Sequence, residues 1–207
     1  MKKIQNILSA ALLLSVSLNL QAQEDAVRSF ADKVAASRVS FSYTYVMDDG
    51  DVALNGKGSI VTQGDCYHME GDGLEIWCDG KSVCTLDKSA GEVVFEPVWA
   101  GSGAFVNPAA LVSNVDREFT WSSGKSGTFK GRPVLQYELA PATASGDIEG
   151  MELFFSEDGK TLYGAELETS KVNLVFTFSS FSFERPGEAS EFMAPDFGPE
   201  YFVTDLR

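Results

Sequence analysis

The chain has a single histidine, His68, and only three cysteines, Cys66, Cys78 and Cys84, among 207 residues. It has no Gly-x-Ser-x-Gly elbow, no Cys-x-x-Cys pair and no His/Glu spacing suited to a metal, so catalytic chemistry has little to stand on. No catalytic residue, metal ligand or cofactor is assigned, and the protein is not expected to be an enzyme. Basic residues are also scarce, 16 against 30 acidic ones, for a net charge of −14. Phosphate backbones are held by Lys and Arg, so nucleic acid is excluded as a partner. The same charge keeps an aromatic-rich chain soluble and monomeric. After the N-terminus no run approaches the ~20 uninterrupted apolar residues of a spanning helix.

Three cysteines leave one thiol over if a pair bridges in an oxidising compartment. If the turns centre on Asp72 and Lys81, Cys66 faces Cys78 and Cys78 faces Cys84. Either pair is then close, although directly cross-strand bridges are strained. A zinc site from these three and His68 lacks the usual paired spacing; three small buried hydrophobes are the plainer reading.

Met1 to Gln23 has the parts of a secretory signal: Lys2 and Lys3, an apolar run from Ile7 to Leu20, and a small residue at Ala22. Residues 1–22 are read as the signal and 23–207 as one domain of about 185 residues, enough for a real core. Losing Lys2 and Lys3 takes the net charge to −16. Gln23, not Cys, follows the cleavage point, so the protein does not look lipid-modified. The periplasm of a two-membrane bacterium is the expected compartment.

Glu24 to Ser37 has Ala26, Val27, Phe30, Ala31, Val34 and Ala35 on one stripe, which is helical spacing, with Asp25 as its cap. Val39 to Met47 alternates without a fault, with Val39, Phe41, Tyr43, Tyr45 and Met47 on one face. Asp48-Asp49-Gly50-Asp51 turns it into Val52 to Thr62; this acidic turn lacks the distal Glu of a calcium loop. Gly56 and Gly58 share a face with Leu54 and Ile60, where missing side chains leave room for a bend or a ligand. From Gly56 to Glu96, short apolar runs broken by Gly71-Asp72-Gly73, Asp79-Gly80-Lys81 and Ala90-Gly91 read as an antiparallel meander.

Pro97 to Phe105 breaks the pattern at Gly101 and Gly103. Asn107-Pro108-Ala109-Ala110-Leu111-Val112 then carries a cap, a proline at the first helical position and an apolar turn. A loop with glycine joints beside Trp99 and Phe105 has the make-up of a movable flap. Strands resume at Glu118 to Ser122, Thr128 to Lys130 and Pro133 to Leu139. Gly124-Lys125-Ser126 is no phosphate loop, since the required glycine is Phe119. Met151 to Ser156 and Leu162 to Glu168 form a hairpin. In Lys171 to Glu184 the apolar register slips at Ser179-Ser180, which implies a β-bulge. The tail from Phe192 to Val203 reads as irregular. About ten or eleven antiparallel strands with two helical pieces form a sheet that curls strongly or closes.

In this order the elements resemble the LolA family of periplasmic outer-membrane lipoprotein carriers. The likeness rests on the signal, the amphipathic first helix, a Phe-Ser-Tyr strand and a Gly-x-Gly strand. It continues through Glu75-Ile76-Trp77-x-Asp79-Gly80-Lys81-Ser82, the Asn107-Pro108-Ala109-Ala110-Leu111 helix, Glu191-Phe192-x-x-Pro195 and Val203-x-Asp205. The resemblance implies a mainly β fold, a strongly curved, unclosed antiparallel β-barrel with a lid of short helices over a hydrophobic cavity. It implies a monomeric carrier of acylated lipoproteins, loaded by an inner-membrane releasing complex and emptied into an outer-membrane acceptor. One departure stands out. Where the family has a basic residue and a proline, thought to latch the lid, this chain reads Thr62-Gln63-Gly64-Asp65-Cys66-Tyr67.

On this reading Val39, Phe41, Tyr43, Tyr45, Leu54, Ile60 and Phe119 line the cavity, with Trp121, Leu174, Phe176 and Phe178. Phe30 and Leu111 sit on the lid, while Trp99, Gly101, Gly103 and Phe105 act as hinge. Ordinary core is the competing interpretation of every one of these residues. The rival function is a binding module or sensor for another hydrophobic or lipid ligand.

Overall fold

A computed structural model describes residues 25–98, 108–143 and 148–207. The signal segment and Trp99, Gly101, Gly103 and Phe105 lie outside them.

The first helix, α1, is Ala26–Ala35, and Asp25 caps it by accepting a hydrogen bond from the Arg28 amide at 3.1 Å. Six strands follow: β1 (Arg38–Asp48), β2 (Ala53–Gln63), β3 (Cys66–Gly71), β4 (Leu74–Cys78), β5 (Ser82–Asp87) and β6 (Glu92–Pro97). The meander forms because its turns close on their own side chains. In the β4–β5 turn the Asp79 carboxylate accepts the amides of Lys81 and Ser82 at 2.9 and 2.8 Å, and Gly80 takes φ +82°. Positive φ there is what glycine supplies without steric cost.

The second helix, α2, is Pro108–Glu118, continuing past the 107–112 stretch in which a short helix was expected, and it runs directly into β7 (Phe119–Trp121). The strand expected from Glu118 therefore starts one residue later. After it come β8 (Lys125–Phe129), β9 (Arg132–Pro141), β10 (Ile148–Phe155), β11 (Leu162–Thr169) and β12 (Asn173–Glu184). The last strand, β13, is Phe202–Asp205.

All thirteen strands join one curved, unclosed sheet in the order β13-β6-β5-β4-β3-β2-β1-β12-β11-β10-β9-β7, with β8 against β9. Two expectations are corrected here. The strands number more than ten or eleven, and the tail read as irregular ends in β13, which pairs parallel to β6 in an otherwise antiparallel sheet. A four-residue strand has too short an alternation to stand out in a sequence.

The register slip lies where the sequence places it. Ser40 pairs with Ser182 and Ser42 with Ser179, so Ser180 and Phe181 together oppose Phe41, and Ser180 takes φ +58°. The extra residue turns Phe181 and Phe183 onto the face that already holds Phe178. Both then meet Phe30 of α1, with ring centroids 5.7 and 6.3 Å away.

The two helices lie on this inner face. Phe30, Val34, Val112 and Val115 pack against Phe41, Ile60, Phe155, Phe176 and Phe178 in the main core. A second cluster, Trp77, Cys84, Leu86 and Val93, lies on the outer face and is covered by Ala194, Phe197 and Tyr201 of the tail. No helix among the described residues is long and apolar enough to cross a membrane.

A candidate ligand-binding surface

Strand alternation fixes which side chains share the inner face. Ile60 pairs with Met69, Met69 with Ile76, Ile76 with Thr85 and Thr85 with Val94, so these five form one row across β2 to β6. A second row runs Thr62, Tyr67, Cys78, Val83 and Glu96. The β1–β2 end of both rows is buried under the helices. Farther along, Met69, Ile76, Val83, Thr85 and Val94 are half-buried, and Ile76, Val83 and Val94 belong to none of the three hydrophobic clusters among the described residues. Four strands ~4.8 Å apart give this floor a width of ~15 Å. It is apolar, continuous with the aromatic core, and bordered by Glu92 and Glu96 on β6.

The residues expected to line a cavity divide between three settings. Val39, Phe41, Tyr43, Ile60, Phe119, Leu174, Phe176 and Phe178, with Phe30 and Leu111 of the helices, are buried together in the main core. Tyr45 and Trp121 are half-buried against it. Leu54 is the exception: it stands opposite Met47 at the far end of β2, 51 % exposed. Ile76, Val83 and Val94 were not among the expected residues. Their signal, alternation with Trp77, Cys84 and Val93, was present but did not say which face would be covered.

The room expected beside Gly56 and Gly58 is taken by tyrosines. A Cβ at Gly58 would sit 2.5 Å from the Tyr43 hydroxyl, and one at Gly56 would meet the Tyr45 ring at 2.5 Å. The rings of Tyr43 and Tyr45 thus lie in the notch that the glycines leave. Burial pushes the Tyr43 phenol up to about 12, and the Asp72 carboxylate adds to it.

The junction of floor and helices is polar. Thr62, buried at 2 % exposure, donates its hydroxyl to the Cys66 carbonyl at 3.1 Å and shares a hydrogen bond with Ser113 of α2 at 3.2 Å. Arg117 of α2 pairs with Asp65 at 3.6 Å. Gln63 reaches away from the helices. Its amide nitrogen donates to the Gly187 carbonyl at 3.0 Å and its oxygen accepts the Gly187 amide at 2.8 Å, tying down the tail.

The cysteines do not stand as the turn-centred register implies. Cys78 pairs with Tyr67 and Val83 on the inner face, whereas Cys84 pairs with Trp77. Partners in a ladder share a face, so Cys78 and Cys84 point to opposite sides of the sheet and cannot bridge. All three are free thiols. Burial pushes Cys84 up to about 11 and raises Cys78 as well. His68 lies on the outer face, stacked on Trp77 at 5.1 Å with its Nε2 3.0 Å from a Glu75 carboxylate oxygen. No cluster of metal-ligating side chains occurs among the described residues.

A shallow hollow of about 540 Å³ opens over β9 to β12, lined by Glu138, Glu152, Glu166, Glu168 and Asn173 together with Leu139, Met151, Leu167, Leu174 and Val175. Burial, then the neighbouring Glu152, raises the Glu166 carboxyl above its ordinary range.

No protein-family model matches the sequence, and no curated protein sequence matches it significantly. Solved structures do match in shape. A conserved uncharacterised protein from Thermus thermophilus aligns over 86 % of this chain and 96 % of its own, at 8 % identity and TM-score 0.52. A LolA superfamily protein from Nitrosomonas europaea aligns over 81 % and 97 %, at 11 % identity and TM-score 0.45. A putative outer membrane lipoprotein-sorting protein domain from Vibrio parahaemolyticus aligns over 81 % and 94 %, at 8 % identity and TM-score 0.42. At these identities the likeness is one of fold.

Proposed function

We propose that this protein is a non-enzymatic periplasmic carrier that shields the acyl chains of lipoproteins on their way from the inner to the outer membrane. The observation that carries the reading is the partly buried apolar floor of Met69, Ile76, Val83 and Val94, which continues the buried aromatic face under the helices. Each acyl CH₂ left in water costs about 0.8 kcal/mol, so a multiply acylated lipoprotein crosses aqueous space only against such a wall. A floor that shields one side of the chains grips them less tightly than a bilayer does, and delivery needs that difference. The secretory signal and the order of motifs support this compartment and this cargo class. Loading by an inner-membrane releasing complex and transfer to an outer-membrane acceptor complete the proposal.

The test is mass spectrometry of material extracted from protein purified out of its native host. Fatty-acylated peptides are expected, and they disappear in a correctly folded Ile76→Glu variant. A different apolar molecule lost by the same substitution would make this a binding module for that molecule. No bound apolar material in either protein would end the proposal.

A further inference from the structure

The free edge at β13 differs from an ordinary sheet edge. Natural sheets blunt their edges with short strands, charge, proline, bulges or covering segments, and of these β13 shows shortness, four residues, and one charged residue. Here Phe202 is 70 % exposed, Val203 47 % and Leu206 58 %. The one charge on the strand, Asp205, is already paired with Arg207 at 2.7 Å, and the Arg207 guanidinium lies over Phe95. The Phe202 amide donates to the Gly91 carbonyl at 2.9 Å and the Leu206 amide to the Phe95 carbonyl at 2.8 Å. The backbone groups of even-numbered residues thus face β6, and alternation turns those of Val203 and Asp205 outward. On this side of the sheet β6 already takes a parallel strand, β13, from the chain's own tail, the one parallel pairing among the described residues.

We propose that the outer edge of β13 is a strand-addition surface for an extended segment of a partner protein in which apolar and basic residues alternate. The ladder would supply affinity, and Phe202, Val203 and Leu206 would seat the apolar residues. The basic half follows from charge complementarity. Glu92, Glu96 and Glu200 are exposed around this edge, on a chain of net charge −14. That charge opposes a second copy of the chain as the occupant. Phe202 and Thr204 pair with Glu92 and Val94 and so continue the inner face, but the ladder groups lie in the plane of the sheet, at its edge, and this inference does not depend on an apolar ligand lying on the floor.

The experiment uses the full chain and a short synthetic peptide alternating lysine and valine, with an N-methylated version and a glutamate–valine version as controls. Amide exchange followed by NMR is expected to slow at Val203 and Asp205 by at least about tenfold on adding the peptide, and neither control has this effect. Binding weakens with salt. Phe202→Ser, which removes an exposed side chain, and Val203→Pro, which removes an outward amide, each weaken it by about tenfold. The inference is overturned if those two amides exchange unchanged, if the glutamate peptide binds equally well, or if protection appears at Ile76 and Val94 instead. It is also overturned if β13 amides are protected without peptide in a dimer of this chain.

Discussion

Phe176 and Ile76 share a face of one sheet, yet replacing them should have opposite consequences. Phe176 is 1 % exposed, its ring 6.0 Å from Tyr43 and 5.8 Å from Phe178. Cutting such a ring to alanine removes its transfer free energy and leaves a cavity, a loss of about 3–5 kcal/mol. For a domain of this size ~1 kcal/mol moves Tm by ~2–4 °C, so Phe176→Ala lowers Tm by roughly 6–20 °C. Ile76 is half-buried on the floor. Ile76→Ser therefore costs about 1 kcal/mol of stability, but it removes apolar contact worth ~0.8 kcal/mol per CH₂ from any chain lying there. A loss of ~1–2 kcal/mol of binding weakens Kd by about 5- to 30-fold. Thermal unfolding by circular dichroism gives the first quantity, and titration with a fluorescent fatty acid gives the second. The reasoning is refuted if Phe176→Ala abolishes fatty-acid binding without moving Tm, while Ile76→Ser leaves binding intact.

Thr62→Val strands the hydroxyl partner on Ser113 and the Cys66 carbonyl, a cost of about 1–3 kcal/mol; hydrogen exchange across α2 is expected to rise, and unchanged exchange would show that Thr62 does not hold that helix. Gly58→Ala would press a Cβ against the Tyr43 hydroxyl at 2.5 Å and the Glu70 carbonyl at 2.6 Å. Both are hard to displace, so a loss of about 1–3 kcal/mol in denaturant unfolding is expected, whereas Gly150→Ala, which meets nothing, stays near neutral. Because the folded pKa of Tyr43 is raised to about 12, its stabilising contribution is complete below the ordinary tyrosine value of about 10 and is lost as pH climbs from there towards 12. Tyr45 and Tyr137 are raised by burial as well, so ultraviolet titration should show several late phenols, one fewer in Tyr43→Phe. Burial raises the Glu75 carboxyl, but hydrogen bonds from Lys88 and His68 outweigh it and hold the group below its ordinary range. The contribution of Glu75 is present above the unfolded value of about 4.3 and disappears as pH falls below it, so Lys88→Met should flatten acid unfolding in that window.

Fold was legible wherever a local rule decides the outcome. The faultless alternation of Val39 to Met47, the Asp-Gly turns and the slip at Ser179-Ser180 each specify backbone geometry within a few residues. All three appear as read, and the curved, unclosed sheet with helices on one face is the fold that the family resemblance implied. What was hidden depends on long-range pairing. β13 joins a strand more than a hundred residues earlier, and its four residues carry no period of their own. The cysteines were assigned to facing positions because the turn centres were placed from composition, and a shift of one residue in a ladder exchanges the faces. The candidate site suffered most. Phe41, Tyr43 and Phe176 look alike as cavity wall or as core, since both demand large apolar side chains in alternation. Only the position of α1 and α2 over β1 and β12 separates that half from the barer floor on β3 to β6.

The central claim concerns which part of the inner face meets an apolar chain. A photoactivatable fatty acid, bound, irradiated and mapped by peptide mass spectrometry, tests it directly. Adducts on Met69, Ile76, Val83 and Val94 are expected; adducts confined to the outer face, at Trp77, Leu86 or Phe95, would contradict it.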